Sequence, residues 1–478
     1  MKKVSRNYIY NLIYQIFTVV IPIFLTPYVS NVLGVVNVGI YGYVTSVVSL
    51  FTTIGLFGIN TFGYREIAYY TDDDEKRNKI FFDIMKLRVV LFLVVLLIYL
   101  PFLFSDYSLF YVLMIFQIIS MFFDVSWLFI GMEELKVVAI RNTLIKVLST
   151  VFVFLLVKEP SDLWLYFLIN SIFNFVVTLS IIPLLKKYIS FKNFKFKTEW
   201  NQIWFYFKSS LKLFLPQIGL TLFLQISKIM LKMFKGEEFV AYYDYAEKII
   251  SIPLALITAM CTAFVPYLAK IYSKKNESEF QGAINKILHF SLLVALPLTF
   301  GIMGIADNFI NWYLDASFQP IVITIYILAP TIILNSLLNV SGNQYFVVVN
   351  NTRILTISYF VALIIDILLN SFLIVLFDDC GAAIATNFGL LFAVILQFTV
   401  MRRNIKIQNI LEIIKYFAAA IIMFVIIYIV GRRLEANILG TVIQVLIGMF
   451  IYFILVVVFR VKLISEFIEL IKNKIKRN

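Results

Sequence analysis

Apolar runs of about 20 residues recur along the whole 478-residue chain, and each is long enough to cross a ~30 Å hydrocarbon core as a helix. Inside lipid every backbone N–H and C=O must be paired within the protein, which leaves helices or closed barrels. Barrel strands place a polar residue at every second position, and these runs do not. With 14% charged residues and a mean hydropathy of +0.92, the chain has too little polar surface for a water-soluble protein of this length. The sequence predicts an all-α polytopic membrane protein.

Thirteen hydropathy breaks divide it: near Val35 and at 71–79, 105–107, 133–136, 158–162, 186–202, 235–239, 272–282, 307–319, 350–353, 378–381, 402–408 and 432–437. They predict about 14 transmembrane helices. The apolar run after MKKVSRNYIYNLIYQIF is too long for a signal peptide, and no small-residue cleavage site follows, so it is expected to stay as the first helix. With the N-terminus in the cytoplasm, about 34 of the 41 lysines and arginines fall on the cytoplasmic side and about seven on the other. Both termini are then cytoplasmic, and the net charge of +13 reports topology rather than a nucleic-acid partner. The seven exceptions are Lys158, Arg432, Arg433 and four lysines close together, Lys228, Lys232, Lys235 and Lys248.

Two cytoplasmic segments suit an anionic bilayer surface. Lysines alternate with aromatic residues from Lys186 to Lys208, and Ile464, Phe467, Ile468, Ile471 and Ile475 line one face of the tail. The bland alternative is a basic loop and a solvated tail. The acidic run TDDDEK, Thr71–Lys76, is expected to be a solvated loop with a helix cap. Two cysteines, Cys261 and Cys380, and one histidine, His289, cannot build a disulfide framework or a zinc site. Cys261 is expected to be a small packing residue. No metal or cofactor is expected.

LGVVNVGIYGY (Leu33–Tyr43) and KGEEFVAYYDY (Lys235–Tyr245) align at an offset of 202, matching Gly34 with Gly236, Val38 with Val240, Tyr41 with Tyr243 and Tyr43 with Tyr245. Upstream, Gln15 meets Gln217. Both copies join the first two helices of a six-helix block, and both blocks start on the same membrane side. The expected organisation is a parallel repeat: an N-terminal lobe over 1–185, a basic linker over 186–206, a C-terminal lobe over 207–403, two further helices over 404–460 and an amphipathic tail over 461–478. Transporters built from parallel repeats hold cargo between the halves.

At 100° per residue, Gln217, Thr221, Gln225, Lys228, Lys232 and Lys235 fall within an arc of about 80° on one helix. Asn7, Asn11, Gln15 and Thr18 share a similar arc on the first. Asp244, Lys248 and Ser251 occupy one face of the eighth, with Glu247 beside them. A charge at membrane depth costs about 2.5–3.5 kcal/mol or more, so such groups face protein or water. The structural alternative is that Lys228 and Lys232 snorkel to outer headgroups or pair with Asp244 and Glu247. Aligned glutamines favour a water-filled groove. Amines and amides together suit an anionic, hydroxyl-rich cargo such as a phosphorylated sugar.

FGINTFGYREIAYYTDDDEKRNKIF (Phe57–Phe81), DVSWLFIGMEELKVVAIRNTLIKVL (Asp124–Leu148), PYVSNVLGVVNVGIYGY (Pro27–Tyr43) and NVSGNQYFVVVNNTR (Asn339–Arg353) resemble signature stretches of the oligosaccharide repeat-unit flippases. These form the polysaccharide transporter branch of the multidrug/oligosaccharidyl-lipid/polysaccharide (MOP) exporters. The resemblance covers nearly the whole chain. It implies two six-helix lobes around a central cavity, two C-terminal helices, and export of undecaprenyl-pyrophosphate-linked oligosaccharides for capsule or O-antigen-like polymer. It implies residence in the bacterial cytoplasmic membrane, with a polymerase and glycosyltransferases as further partners. YAEKIISIPLA (Tyr245–Ala255) resembles the eighth helix of the related lipid II flippases, where a cavity arginine follows an acidic residue, and so singles out Lys248 for pyrophosphate. Lysine there lacks the bidentate fork of arginine. Asn31 and Ser227 also depart from the family's frequent Arg and Asp.

The substrate-binding candidates are thus Lys248, Lys228, Lys232, Gln225, Gln217, Asn7, Asn11 and Gln15. Arg65, Glu66, Asp124, Trp127 and Arg141 fall near cytoplasmic helix ends within the resembling stretches, where inter-helix pairing at an inner gate is favoured over cargo contact. Asp366 and Asn370, one turn apart, are candidates for a coupling cation or for packing against another polar helix. A multidrug pump handling cations would line its path with acids, and helix one has none. A glycosyltransferase needs a catalytic carboxylate or metal set on a sizeable loop, and no such set or nucleotide-binding fingerprint is present, so no enzyme activity is expected. Export of a teichoic-acid or peptidoglycan precursor stays open.

Overall fold

The computed structural model describes residues 2–191 and 200–465, with side chains described at Phe17 and from Val20 onward. Helices make up the regular structure of these residues. They form two compact units, Met1–Ile229 and Met230–Asn478. The first contains α1 (Lys2–Leu56), α2 (Ile59–Tyr69), α3 (Asp74–Tyr99), α4 (Ser108–Leu113), α5 (Ile115–Phe123), α6 (Ser126–Gly131), α7 (Leu135–Leu156) and α8 (Leu163–Leu179). Helix α9 (Trp200–Phe234) runs past the division. The second contains α10 (Glu237–Thr262), α11 (Val265–Ser273), α12 (Glu277–Tyr313), α13 (Ile321–Leu328), α14 (Thr331–Asn339), α15 (Arg353–Met401), α16 (Ile410–Gly431) and α17 (Ile438–Val458).

Among the described residues, twelve helical segments are long and apolar enough to cross a membrane, as expected of a polytopic chain. Two are too long for one crossing. Val20–Tyr69 has 50 residues and Arg353–Met401 has 49, about 75 Å each if straight. Neither is straight. Gly34 (φ 74°, ψ 172°) interrupts the first, and Phe377 with Asp378 (φ 53°) interrupts the second. Both interruptions coincide with hydropathy breaks, the first being the uncharged one near Val35.

The interruption at Gly34 has a counterpart 202 residues later. Gly236, between α9 and α10, also has a positive φ, 115°. A Cβ on either glycine would meet nothing within 4 Å, so glycine supplies backbone freedom there rather than space. The aligned motifs therefore share a backbone device as well as letters. Each glycine interrupts the helical backbone at the same position of its motif.

In unit 1 the core gathers around Trp127, which is fully buried and stacks on Phe81 at 5.8 Å. A Cβ on Gly63 would come within 2.5 Å of the indole, so glycine lets α2 approach α6 closely. In unit 2, Leu288, Leu292, Tyr416, Ala419 and Ala420 knit α12 to α16. Leu97, Phe372, Leu376, Met449 and Phe450 point outward, the composition of a lipid-facing surface.

Asp73 caps α3, accepting from the Lys76 N–H at 3.0 Å. That bond, with the Lys76 ammonium nearby, holds its carboxyl below the usual range. Cys261 is a buried packing residue, 3.3 Å from Ser291 Oγ. His289 is held by the Gln408 carbonyl at 2.9 Å and Tyr416 Oη at 3.3 Å. No group of three or more His, Cys, Asp or Glu suited to a metal converges among the described residues. The predicted linker is described at 186–191 and 200–206, and the predicted tail at 461–465; Phe467, Ile468, Ile471 and Ile475 lie outside the described residues.

Candidate functional site

The polar stripe of α9 grades from open to enclosed. Gln217 is exposed, Thr221 and Gln225 are half-buried, and Lys228 is buried at 7% exposure. Thr53 of α1 donates to Thr221 at 3.4 Å, fixing the middle of the stripe within unit 1. Pro216 lies inside the helix, one residue before the stripe begins. Its ring removes one backbone donor and loosens the turn there.

Beyond Lys228 the lysines are held in ion pairs. Lys232 Nζ lies 2.7 Å from Glu237 Oε1, across the turn at Gly236. Lys235 Nζ lies 2.7 Å from Asp378 Oδ1, which ties the α9–α10 turn to the kink of α15. Lys248 Nζ lies 2.7 Å from Asp244 Oδ2, one helical turn away on α10, and 4.6 Å from the centroid of the Tyr245 ring. Of that pair the carboxylate is enclosed, at 8% exposure, and the amine open, at 41%. Asp244 thus pairs with Lys248 on its own helix. The amine stays accessible to a second anion on its open side.

The side chains of Asn7, Asn11 and Gln15 lie outside the described residues, although the backbone there is helical. On α2, Arg65 is exposed and Glu66 half-buried. Arg141 binds its neighbour, its Nε and Nη2 donating to Asn142 Oδ1 at 3.1 and 2.8 Å.

Asp124 anchors a network that sequence inspection saw only in part. Its Oδ2 accepts from Asn60 Nδ2 at 2.9 Å, and its Oδ1 from the Ser126 N–H at 3.0 Å and Ser126 Oγ at 2.6 Å. Arg88, at 1% exposure, donates to Asn60 Oδ1 at 2.8 Å and to the Asp124 carbonyl. A charge 14 residues into α3 needs such neutralisation. The signal was present: Arg88 sits inside an apolar run just as the four lysines do.

Asp366 and Asn370 meet as their spacing on α15 predicts, Asn370 Nδ2 donating to Asp366 Oδ2 at 2.9 Å. The kink at 377–378 folds the chain back, and Thr386 Oγ1 reaches Asp366 Oδ1 at 3.4 Å. Tyr243 of α10 completes the cluster, its hydroxyl 2.8 Å from that of Thr386. All four side chains are buried. One carboxylate with amide and hydroxyl oxygens is a hard donor set, suited to a proton or a monovalent cation rather than to zinc.

Paired charges and polar clusters held within long apolar helices define a polytopic membrane protein with polar groups in its interior. Residues 4–272, more than half of the chain, match the polysaccharide biosynthesis protein family, and the chain belongs to that family. It is similar to a putative O-antigen transporter of Shigella dysenteriae, 24% identical over 287 residues that make up 58% of this chain and 71% of the relative. A putative O-antigen transporter of Escherichia coli (strain K12) is 23% identical, with 79% of this chain and 92% of the relative covered. The inward closed structure of the lipid II flippase MurJ shares the fold, with a TM-score of 0.76 over 96% of this chain and 100% of that one at 16% identity. The resemblance to polysaccharide flippases of the MOP superfamily is thereby borne out.

Proposed function

We propose that this protein carries lipid-linked oligosaccharides from the inner to the outer leaflet of a bacterial cytoplasmic membrane, for assembly of a capsule- or O-antigen-like polysaccharide. The assigned cargo is an undecaprenyl-pyrophosphate-linked repeat unit, moved by alternating access. The observation that carries this reading is the row of amines on the α9–α10 hairpin in a chain of the polysaccharide biosynthesis family. Lys248, Lys228 and Lys232 take the pyrophosphate; Gln225, Gln217, Asn7, Asn11 and Gln15 take sugar hydroxyls. Arg65, Glu66, Asp124, Trp127 and Arg141 hold the inner helix ends together. Asp366 and Asn370, with Thr386 and Tyr243, form the site of a coupling cation.

The interruptions at Gly34 and Asp378 support fourteen crossings, two for each long helix, with both termini cytoplasmic. The shared positive φ at Gly34 and Gly236 supports the division into six-helix repeats over 1–185 and 207–403, followed by helices over 404–460. An inside-negative potential favours outward movement of an anion by about 2.3 kcal/mol per charge per 100 mV. A polymerase consuming the cargo and glycosyltransferases supplying it are the partners this implies. The MurJ-like fold favours one second reading, export of a peptidoglycan or teichoic-acid precursor.

The test is complementation. In a deletion strain, Lys248→Ala and Lys228→Ala should reach the membrane at normal levels and abolish surface polymer. Unchanged polymer with both lysines replaced refutes the assignment. Purified protein in proteoliposomes, offered the repeat-unit lipid or lipid II, separates the two cargos.

A further inference from the structure

Unit 1 holds a cavity of about 390 Å³ among α1, α7 and α8, outside the lysine-bearing hairpin. Six polar side chains line it: Asn142, Thr143, Lys146 and Ser149 from α7, with Asn170 and Asn174 from α8. They keep helical register. Asn142, Lys146 and Ser149 follow at i, i+4 and i+7, and Asn170 and Asn174 at i and i+4, so each helix turns one polar face to the same space. Polar side chains are costly in membrane-spanning helices, and six of them converging is not what lipid-facing packing selects.

The hydrogen bonds already made indicate what the cavity can accept. Thr143 Oγ1 donates to the Ala139 carbonyl at 2.9 Å and Ser149 Oγ to the Lys146 carbonyl at 2.9 Å. Both hydroxyl protons are used within α7, which leaves their oxygens as acceptors. Asn170 Nδ2 donates to the Tyr166 carbonyl at 2.8 Å, leaving its carbonyl oxygen and one N–H. The Asn142 oxygen receives Arg141, so its amide N–H groups remain as donors. The wall thus offers both donors and acceptors. Phe17 and Phe173 supply aromatic surface beside them. Such a mixture matches a sugar ring, whose hydroxyls both donate and accept and whose C–H face is apolar. It suits a sugar better than a pyrophosphate, because among the described lining residues Lys146 is the single cationic side chain.

We propose that this cavity is a saccharide-binding site, holding one part of the glycan. The proposal rests on the cargo being a lipid-linked glycan. The volume falls in the usual range for small-molecule sites, about 300–1,000 Å³.

Ser149→Cys and Asn170→Cys, made separately and reconstituted in nanodiscs, test it through the rate of labelling by a small hydrophilic thiol reagent. The parent chain, with Cys261 buried and Cys380 half-buried, sets the background. Two probes are added: the saccharide released by mild acid from the host's lipid-linked glycan, and inorganic pyrophosphate. At about twice its Kd the saccharide should slow labelling about threefold, since free sites fall as 1/(1 + [L]/Kd). Pyrophosphate should leave the rate unchanged, and Asn142→Leu in the Ser149→Cys background should remove the protection. If one cysteine variant fails to fold, the other carries the test. Absence of labelling, equal protection by pyrophosphate, or rates unmoved by saccharide overturn the proposal. Flipping by the parent chain is scored separately: protection without flipping sinks the transport reading and leaves the saccharide site standing, and flipping without protection does the reverse.

Discussion

The network of Arg88, Asn60 and Asp124 offers a quantitative test of how unit 1 tolerates charge at depth. Arg88 is almost wholly enclosed and donates to Asn60 Oδ1 and the Asp124 carbonyl, while the Asp124 carboxylate accepts from Asn60 and Ser126. Asp124→Ala leaves a buried guanidinium without its counter-charge, and Arg88→Met leaves the carboxylate without the cation. Either loss should cost about 3–5 kcal/mol. Independent effects would sum to about 6–10 kcal/mol in the double variant. Replacing both partners removes the stranded charge in either direction, so the double should fall at least ~2 kcal/mol short of that sum. For a unit of 229 residues, about 2–4 °C accompany each kcal/mol, so each single variant should melt roughly 6–20 °C lower. Thermal unfolding in detergent, followed by loss of the monodisperse peak, measures all three. A double variant whose loss equals the sum to within ~0.5 kcal/mol refutes the coupling, since that is the scatter expected of independent sites.

Gly34→Ala and Gly236→Ala should each destabilise by about 1–3 kcal/mol through backbone strain alone, because their φ is positive with ψ near 180° and no neighbouring atom obstructs the added Cβ; a cost well above this in melting experiments would point to packing instead. Lys232→Glu should impair export more than Lys232→Gln, because it sets a carboxylate against Glu237 where an ion pair stood; equal surface polymer in the two strains contradicts this. Asp366→Asn should preserve membrane level and abolish the cation dependence of flipping in proteoliposomes, and a dependence left intact removes Asp366 from the coupling site. Asp244→Asn, by taking away the carboxylate that competes for Lys248, should slow cargo release and raise the fraction of protein purified with bound lipid-linked glycan; an unchanged fraction counts against exchange between the two anions.

Hydropathy located the spans because lipid imposes one strong local requirement, and the thirteen breaks coincide with helix ends or kinks. Breaks inside spans were invisible to it. The left-handed pair Phe57 and Gly58, the turn at Asp124–Val125 and the π-helical Val340–Phe346 interrupt helices with polar stretches too short to end a span. Periodicity placed Asp366 beside Asn370, since both lie on one helix. It could not supply Thr386 or Tyr243, which arrive through a chain reversal and a neighbouring helix. Likewise Asp124 was legible through its resembling stretch and Arg88 as a charge inside an apolar run, while their meeting with Asn60 of α2 was not. Long-range partners are set by tertiary packing, and a single sequence carries no record of which helix faces which.

The ion pairs of Lys232, Lys235 and Lys248 bear on the proposed mechanism more than their existence first suggests. An amine in a membrane-spanning hairpin costs about 2.5–3.5 kcal/mol or more if left without a partner, so a carrier that must wait for cargo needs resident counter-charges. The partners must also be replaceable. Partly exposed pairs contribute only about 0–1 kcal/mol, and Lys248 is the most open of the three amines. A phosphate brings more charge and more acceptor oxygens than one carboxylate, so it can take over the Lys248 ammonium at little net cost and return it on release. Under the proposed function, pairing with Asp244 and binding of the phosphorylated head are successive states of one amine. A permanently vacant amine would bind cargo too tightly to let it go, and a fully enclosed pair would never bind it. The enclosed carboxylate and open amine at Asp244 and Lys248 lie between those extremes.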